Sequence, residues 1–405
     1  MSEWTPIKLG SIVNITNGFA FKSENFLTSL TFNTLPVLKI KNVANGDVHL
    51  KDVQYHLIDS KYDKYTSSKG DILITLTGNH PQALTQVVGT VSKQKFDTLA
   101  YINQRVAKID PISSLAFKDF IYYFLKEKST HDYLASQSSG SANQANISKA
   151  DIENVELLLP PVTEQKAIAS VLSSLDDKID LLHRQNKTLE SMAETIFRKW
   201  FIEEPQEEWD TVPLSKVATF TNGLACQKFP AISGEPSMPV LKIKELSSGI
   251  SSNTDLATAN IKEDYIVNHG DVIFAWSASL MVKIWSGPVC VLNQHLFKVT
   301  SDTYPKWFYL EWCKHYLKEF ISISQSHATT MGHIKRKDLD EAMVKIPSNN
   351  ELVNMTAKIG PLLDQRIEKM RQIRTLETLR DTLLSKLMSG DVRVQYAEEA
   401  IASVA

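Results

Sequence analysis

Cysteine is scarce in this chain: three in 405 residues, Cys226, Cys290 and Cys313, all in the second half and in no metal-ligand spacing. That argues against a disulfide framework or a zinc ribbon and reads as buried or half-buried free thiols in a reducing cytoplasm. Nowhere do roughly eighteen apolar residues run together, so no membrane span is expected. The opening MSEWTPIKL has no basic stretch followed by an apolar one, so no secretory signal is read there and a cytoplasmic location is expected. An excess of positive charge is missing too. Lys and Arg number 44 against 46 Asp and Glu, for a net charge of −2, whereas a lone DNA-binding module usually wears a basic face. If DNA is the ligand, its cations must be locally clustered or a partner must supply much of the phosphate grip. The signatures of catalysis are also absent: no glycine-rich phosphate loop, no HExxH, no paired CxxC and no GxSxG. Nor is there the Asn-Pro-Pro-aromatic or Asp-Pro-Pro-aromatic tetrapeptide of amino-methyltransferases. Jointly these gaps point to a binding protein with no chemistry and no bound metal or cofactor of its own.

What the chain does hold is a copy of itself. WTPIKLGSIVNITNGFAFKSENF (residues 4–26) returns as WDTVPLSKVATFTNGLACQKF (residues 209–229), and PVLKIKNVANGDV (36–48) as PVLKIKELSSGI (239–250). KGDILITLTG (69–78) returns as HGDVIFAWSA (269–278), and INQRVAKI (102–109) as LNQHLFKV (292–299). The offset between copies shrinks from 205 at Trp4 and Trp209 to 187 at Ile147 and Ile334, then stays constant. Loop deletions in a globular part followed by a rigid element of fixed length produce that pattern. The repeat is far too long for a solenoid, so it is a duplicated domain.

Periodicity divides each copy. In the first, the stretches VVGTV, DILITL and PVLKI, bounded by Asn-Gly and Gly-Asp pairs, predict strands and turns. Aromatics over residues 117–134, matched over 307–320, predict core-facing helices. After Pro160-Pro161 the apolar spacing alternates between three and four through Leu172, Leu175, Ile179, Leu182, Asn186, Leu189, Ala193, Ile196 and Trp200, the seam of a coiled coil. Thr163 is the expected N-cap. A second seam runs Leu363, Ile367, Met370, Ile373, Leu376, Leu379, Leu383 and Leu387 after a Ser348–Glu351 capping box. Gly360-Pro361 is expected to kink or restart that helix. Exposed seams of such length do not stay solvated, so the two helices pack on each other or, alternatively, each on its own globular part. Asn186 is the kind of seam residue that fixes register. The expected division is residues 1–162, a helix over 163–203, a second globular part over 204–349, a helix over 350–391 and a loosely ordered tail over 392–405.

Both copies place a polar loop with small residues just before the long helix, rich in amides in the first copy. In the first it reads SQSSGSANQANISK (residues 136–149) and supplies Ser141, Asn143, Gln144, Asn146 and Lys149; in the second, ATTMGHIKRK (328–337) supplies Thr330, His333, Lys335 and Arg336. Asn and Gln can bond adenine twice, Arg and Lys can bond guanine, and Ser or Thr serves either. Thr77, Asn79, His80, Gln104 and Arg105 join them in the first copy, and Ser277, Ser279, Gln294 and His295 in the second. Lys22, Lys228 and Lys283 add charge.

In this order of parts the chain resembles the specificity subunit of Type I restriction–modification enzymes. The likeness rests on GSANQANISKADIENVELLLPPVTEQKAIASVLSSLDDKID (residues 140–180), FRKWF (197–201), ATTMGHIKRKDLDE (328–341) and LLDQRIEKMRQIRTLETLRDTLLSKLMSG (362–390). The second junction, IPSNNELV, departs by lacking the paired prolines and the Gln. The resemblance implies an α+β chain: two mixed α/β target-recognition domains separated by an antiparallel coiled coil of two long helices, as a pseudo-two-fold internal repeat. It implies a bipartite, asymmetric duplex DNA site, two methyltransferase (modification) subunits as partners and, through them, motor/endonuclease (restriction) subunits. S-adenosylmethionine, ATP and magnesium would then belong to those partners. The rival expectation is a structural adaptor whose duplicated heads bind proteins.

Overall fold

The computed structural model describes residues 4–43, 47–79, 87–112, 114–141, 144–326 and 332–394. The chain divides into two compact units, one of residues 1–176 with 378–405, the other of residues 177–377.

In the first unit, Val13–Asn17, Val106–Pro111, Ile72–Thr75 and Val91–Lys93 lie side by side in that order, every pair antiparallel. A second sheet orders Gln54–Leu57, Thr34–Leu38, Ala100–Ile102 and Thr66–Ser67, with one parallel pair between Thr34–Leu38 and Ala100–Ile102. The strand ILIT is buried at all four positions, as a strand covered on both faces must be. The second unit repeats this plan. Thr219–Asn222, Leu296–Thr300, Val272–Ala275 and Met281–Ile284 form one sheet. Leu256–Thr258, Ser237–Leu241, Cys290–Leu292 and Ile266–Val267 form the other. The lone parallel pair recurs in register: Leu38 faces Ile102 and Leu241 faces Leu292. All three cysteines are buried and unpaired.

Two local expectations for the globular parts need correction. VVGTV is mostly a turn, not a strand: Gly89 has φ +81°, and extended structure begins only at Val91. The aromatic helix of the first unit is two helices, Lys118–Lys126 and Lys128–Ser136. It breaks because the Glu127 carboxylate turns back to accept from Ser129 N at 2.7 Å and Thr130 N at 3.2 Å, capping a fresh start. The second unit has no such cap and keeps one helix, Lys306–Ser326. In both, the aromatics are core: Phe120, Trp307, Phe308, Trp312 and Phe320 are buried.

The long helices span Val162–Arg198, with a wider turn at Lys199–Glu203, and Asn349–Ser389. Thr163 is not the cap; Pro161 O accepts from Glu164 N and Gln165 N, so Pro161, two residues earlier, takes that place and the helix begins at Val162. The buried Gln165 pins this start, accepting from Phe117 N at 2.7 Å and donating to Leu115 O at 2.7 Å and Pro160 O at 2.8 Å. The other long helix uses the expected capping box, Ser348 Oγ to Glu351 Oε2 at 2.6 Å and Glu351 N back to Ser348 Oγ at 3.4 Å. It does not restart at Pro361. Ile359 and Leu363, on either side, are buried in the core of the second unit, and that packing outweighs the lost backbone bond.

Within each unit, segments of the two long helices run antiparallel. In the first, Asp176 pairs with Arg380 at 3.0 Å and Glu164 with Arg393 at 3.1 Å. In the second, Lys369 donates to Gln185 at 2.8 Å and Arg366 pairs with Glu190 at 2.8 Å. Of the seam residues, Leu175, Ile179, Leu182, Asn186, Leu363, Leu376 and Leu383 are buried. Leu189, Ile196, Ile367 and Met370 are half-buried. The helices thus pack on one another and on their globular parts at once: Phe197, Ile359 and Leu363 share a core with Trp307 and Phe308.

Candidate nucleic-acid interface

The Asn-Gly pairs near the start of each copy set up the site. Gly18 donates its N–H to Val106 O, and Gln104 N donates to Phe19 O, pressing this segment onto a tight turn closed by Val106 N to Asn103 O at 2.8 Å. A Cβ on Gly18 would lie 2.3 Å from Asn103 O, so only glycine fits. The second unit repeats every element: Gly223 N to Leu296 O, Gln294 N to Leu224 O, Leu296 N to Asn293 O. There a Cβ on Gly223 would lie 2.3 Å from Asn293 O.

Each turn sends its third residue toward the end of the central strand. In the first unit Leu76 N donates to Arg105 O and Leu76 O accepts from Ile147 N, both near 3 Å, which zips three distant segments together. Their side chains then converge. Arg105 Nη1 donates to Thr77 Oγ1 at 3.0 Å and to Asn146 Oδ1 at 2.9 Å, and Thr77 Oγ1 donates to Asn146 Oδ1 at 2.7 Å. Asn146 Nδ2 is anchored on Gln144 O at 3.2 Å. The strand Gln144–Asn146 pairs with Thr77–Gly78 on one side and Ser139–Ser141 on the other. Among the described residues, neutral oxygens alone hold the Arg105 guanidinium and no carboxylate does.

The second unit uses the same backbone bonds, Trp276 N to His295 O and Ile334 N to Trp276 O, but different side chains. Ser277 Oγ lies 3.2 Å from His295 Nδ1, Ser277 bridges His333, and Gln294 Nε2 lies 3.3 Å from His295 Nε2. Trp276 stacks on Phe297, and its ring lies 6.0 Å from that of His295 and 6.1 Å from that of His333. Its Nε1 donates to Asn222. Among the described residues no three His, Cys, Asp or Glu side chains are grouped to hold a metal.

Three of the expected lysines have local partners. Lys283 caps a helix, its Nζ donating to Leu246 O at 3.1 Å and Ser247 O at 3.4 Å. Lys149 pairs with Glu153 at 3.5 Å and Lys22 sits 3.9 Å from Glu24. Lys228, Ser279, Lys335, Arg336 and Gln104 are exposed. Lys335 N donates to Asp338, starting the helix Arg336–Glu341. Asn79 bridges Val87 through its backbone. His80, Asn143 and Thr330 lie outside the described residues, as does the side chain of Ser141. Sequence reasoning missed Trp276 and Asn222. The signal was present as a Leu76-to-Trp276 difference inside an otherwise similar strand.

A family model described as the Type I restriction modification DNA specificity domain matches residues 1–191 and again residues 206–378. The chain belongs to this family. Both copies of the repeat are therefore specificity domains, and the α+β architecture with a long helix between them is that of specificity subunits. The chain is 27% identical over 320 residues to the MjaIX specificity subunit of Methanocaldococcus jannaschii, covering 72% of this chain and 73% of that one. It is 22% identical to the EcoKI specificity subunit of Escherichia coli, over 98% of this chain and 90% of that one. A crystal structure of the S subunit from M. genitalium shares the fold, with a TM-score of 0.59 at 18% identity and 96% coverage of both chains. No helix among the described residues is long and apolar enough to cross a membrane.

Proposed function

We propose that this chain selects a split, asymmetric duplex DNA site, each specificity domain reading one half, and supplies that address to catalytic partners. One observation carries the reading. The two domains of a DNA-specificity family keep one backbone frame yet fill it with different polar side chains. A frame that merely stabilised the fold would have no reason to vary there, whereas two unlike half-sites require it. Arg105, Thr77, Asn146, Gln104 and Gln144 are the candidate DNA contacts of the first domain; Ser277, His295, His333, Gln294 and Trp276 are those of the second.

The chain performs recognition, and adenine methylation and cleavage fall to other subunits. We assign it two methyltransferase partners, one for each domain, and through them the motor/endonuclease subunits. S-adenosylmethionine, ATP and magnesium would be held there. The net charge of −2 suits this division, since enclosing subunits can supply phosphate contacts that this chain lacks. Family membership in both copies disfavours a protein-binding adaptor.

The test is to replace residues 1–162 with the same part of a relative and map methylated adenines across a genome. One half of the methylated motif should change while the other stays. A change in both halves, or in neither, would sink the proposal.

A further inference from the structure

Three positions coincide in the two domains although their residues do not. Thr77 and Ser277 follow the central strand, Arg105 and His295 complete the turn after Asn-Gln, and Asn146 and His333 sit one residue before the matched Ile147 and Ile334. The carbonyl of the second position and the amide after the third bond the same backbone residue in each domain, Leu76 or Trp276. The backbone is thus common property, and these three side chains, together with Trp276 in place of Leu76, distinguish one head from the other.

Their chemistry differs in kind. In the first domain the guanidinium is half-buried and fixed through Nη1 by two neutral acceptors. With no carboxylate beside it among the described residues, its remaining N–H donors are left to water or to an acceptor from outside the chain. The rest of the planar fork presents two parallel N–H donors, the geometry that matches O6 and N7 of guanine. In the second domain imidazole replaces guanidinium and a second imidazole replaces the amide, with an indole behind them. Among the described residues no Lys or Arg side chain joins the hydrogen bonds of that head.

Resting on the reading of the chain as a DNA selector, we propose that these positions form an interchangeable base-reading cassette, and that the filling Thr77–Arg105–Asn146 selects a guanine in its half-site. The second domain already shows that the frame accommodates Ser, His and His, so the exchange is compatible with the fold.

The experiment uses the full chain assembled with its modification subunits, reading the methylated motif genome-wide. Wild type is compared with Arg105→Lys and with the triple variant Thr77→Ser, Arg105→His, Asn146→His. The wild-type motif should contain a fixed guanine in one half-site. Arg105→Lys, which keeps the charge and loses the fork, should lower preference for that guanine about tenfold or more. The triple variant should replace the preference, and both should leave the other half-site intact. An unchanged motif in both variants overturns the cassette, as does uniform weakening across all sequences, the behaviour of a phosphate contact. If the triple variant fails to melt cooperatively, Arg105→Lys alone decides. A wild-type complex that methylates without any fixed motif defeats the DNA-selector reading itself.

Discussion

Lys126 and Lys314 occupy matched places on the aromatic helices, and each reaches an acid and an arginine on the long helices of its own unit. In the first unit Lys126 approaches Asp176 at 3.6 Å, beside Arg380 at 3.0 Å, and Tyr123 Oη donates to the same carboxylate at 2.9 Å. In the second, Lys314 meets Glu190 at 2.6 Å, with Arg366 at 2.8 Å, but the residue matching Tyr123 is Glu311, 3.4 Å from Lys314. With Glu194 also 3.0 Å from Lys314, one acid and two cations in the first unit become three carboxylates and two cations in the second. Burial raises the Asp176 pKa, yet Lys126 and Arg380 outweigh it and hold the carboxyl below its ordinary value. Glu311 is pushed up to about 7 by burial, with Lys314 opposing and Glu194 reinforcing. Duplicated scaffolds therefore share a plan for joining domain to helix and diverge in how that joint answers to pH.

The largest expected effect tests the other unequal joint, the start of each long helix. Gln165→Leu copies the residue that the second unit carries at the same place, Leu352. Because Gln165 is buried and satisfies Phe117 N, Leu115 O and Pro160 O, the change should cost about 2–5 kcal/mol by orphaning main-chain groups. Leu352→Gln, at a half-buried position with its own capping box, should cost under about 1 kcal/mol. Chemical denaturation of both variants measures this, and equal losses would erase the distinction between the joints.

Next comes pH. Glu311 has a folded pKa raised from 4.5 to about 7. Between those values the folded chain keeps a proton that the unfolded chain has released, so stability falls as pH rises through the window. The shift corresponds to about 3 kcal/mol, complete above pH 7. Glu311→Gln should flatten this slope in melts from pH 5 to 8. Asp176 works in the opposite sense, its stabilisation present at neutral pH and lost only as pH drops below 3.8 through its depressed pKa. A wild-type melt with no slope between pH 5 and 7 would remove the contrast.

The smallest effect sharpens what the units share. Gly18→Ala and Gly223→Ala each drive a Cβ into a carbonyl oxygen 2.3 Å away, so each should lose about 1–3 kcal/mol. Matched shifts in melting temperature are expected, and a large disparity would mean that the two turns are not the same device.

The architecture was readable where the signal was local or repeated. A shrinking and then constant offset exposed the duplication, and the three-four apolar spacing gave both helices to within a residue or two. Local exceptions were not readable because tertiary context decided them: Glu127 breaking an aromatic helix, and Ile359 and Leu363 carrying a helix through Pro361. The heads were legible only as separate polar segments. Nothing in Thr77, Arg105 and Asn146 as text shows that one strand end and two turns bring them within 3 Å of each other. Lysines chosen for charge were placed less well, since Lys283 and Lys149 serve local partners, while Trp276 escaped notice because one aromatic among many carries no periodic mark.

The unit built from residues 1–176 and 378–405 uses the first and last parts of the chain, whereas residues 177–377 are continuous. During synthesis the continuous unit can close as soon as its own residues have emerged. The earlier-made one must wait, with Asp176 and Glu164 lacking Arg380 and Arg393 until residues 378–393 have left the ribosome. A released chain truncated after residue 377 would thus carry a finished second reader and an unfinished first, able to complete only half of an address.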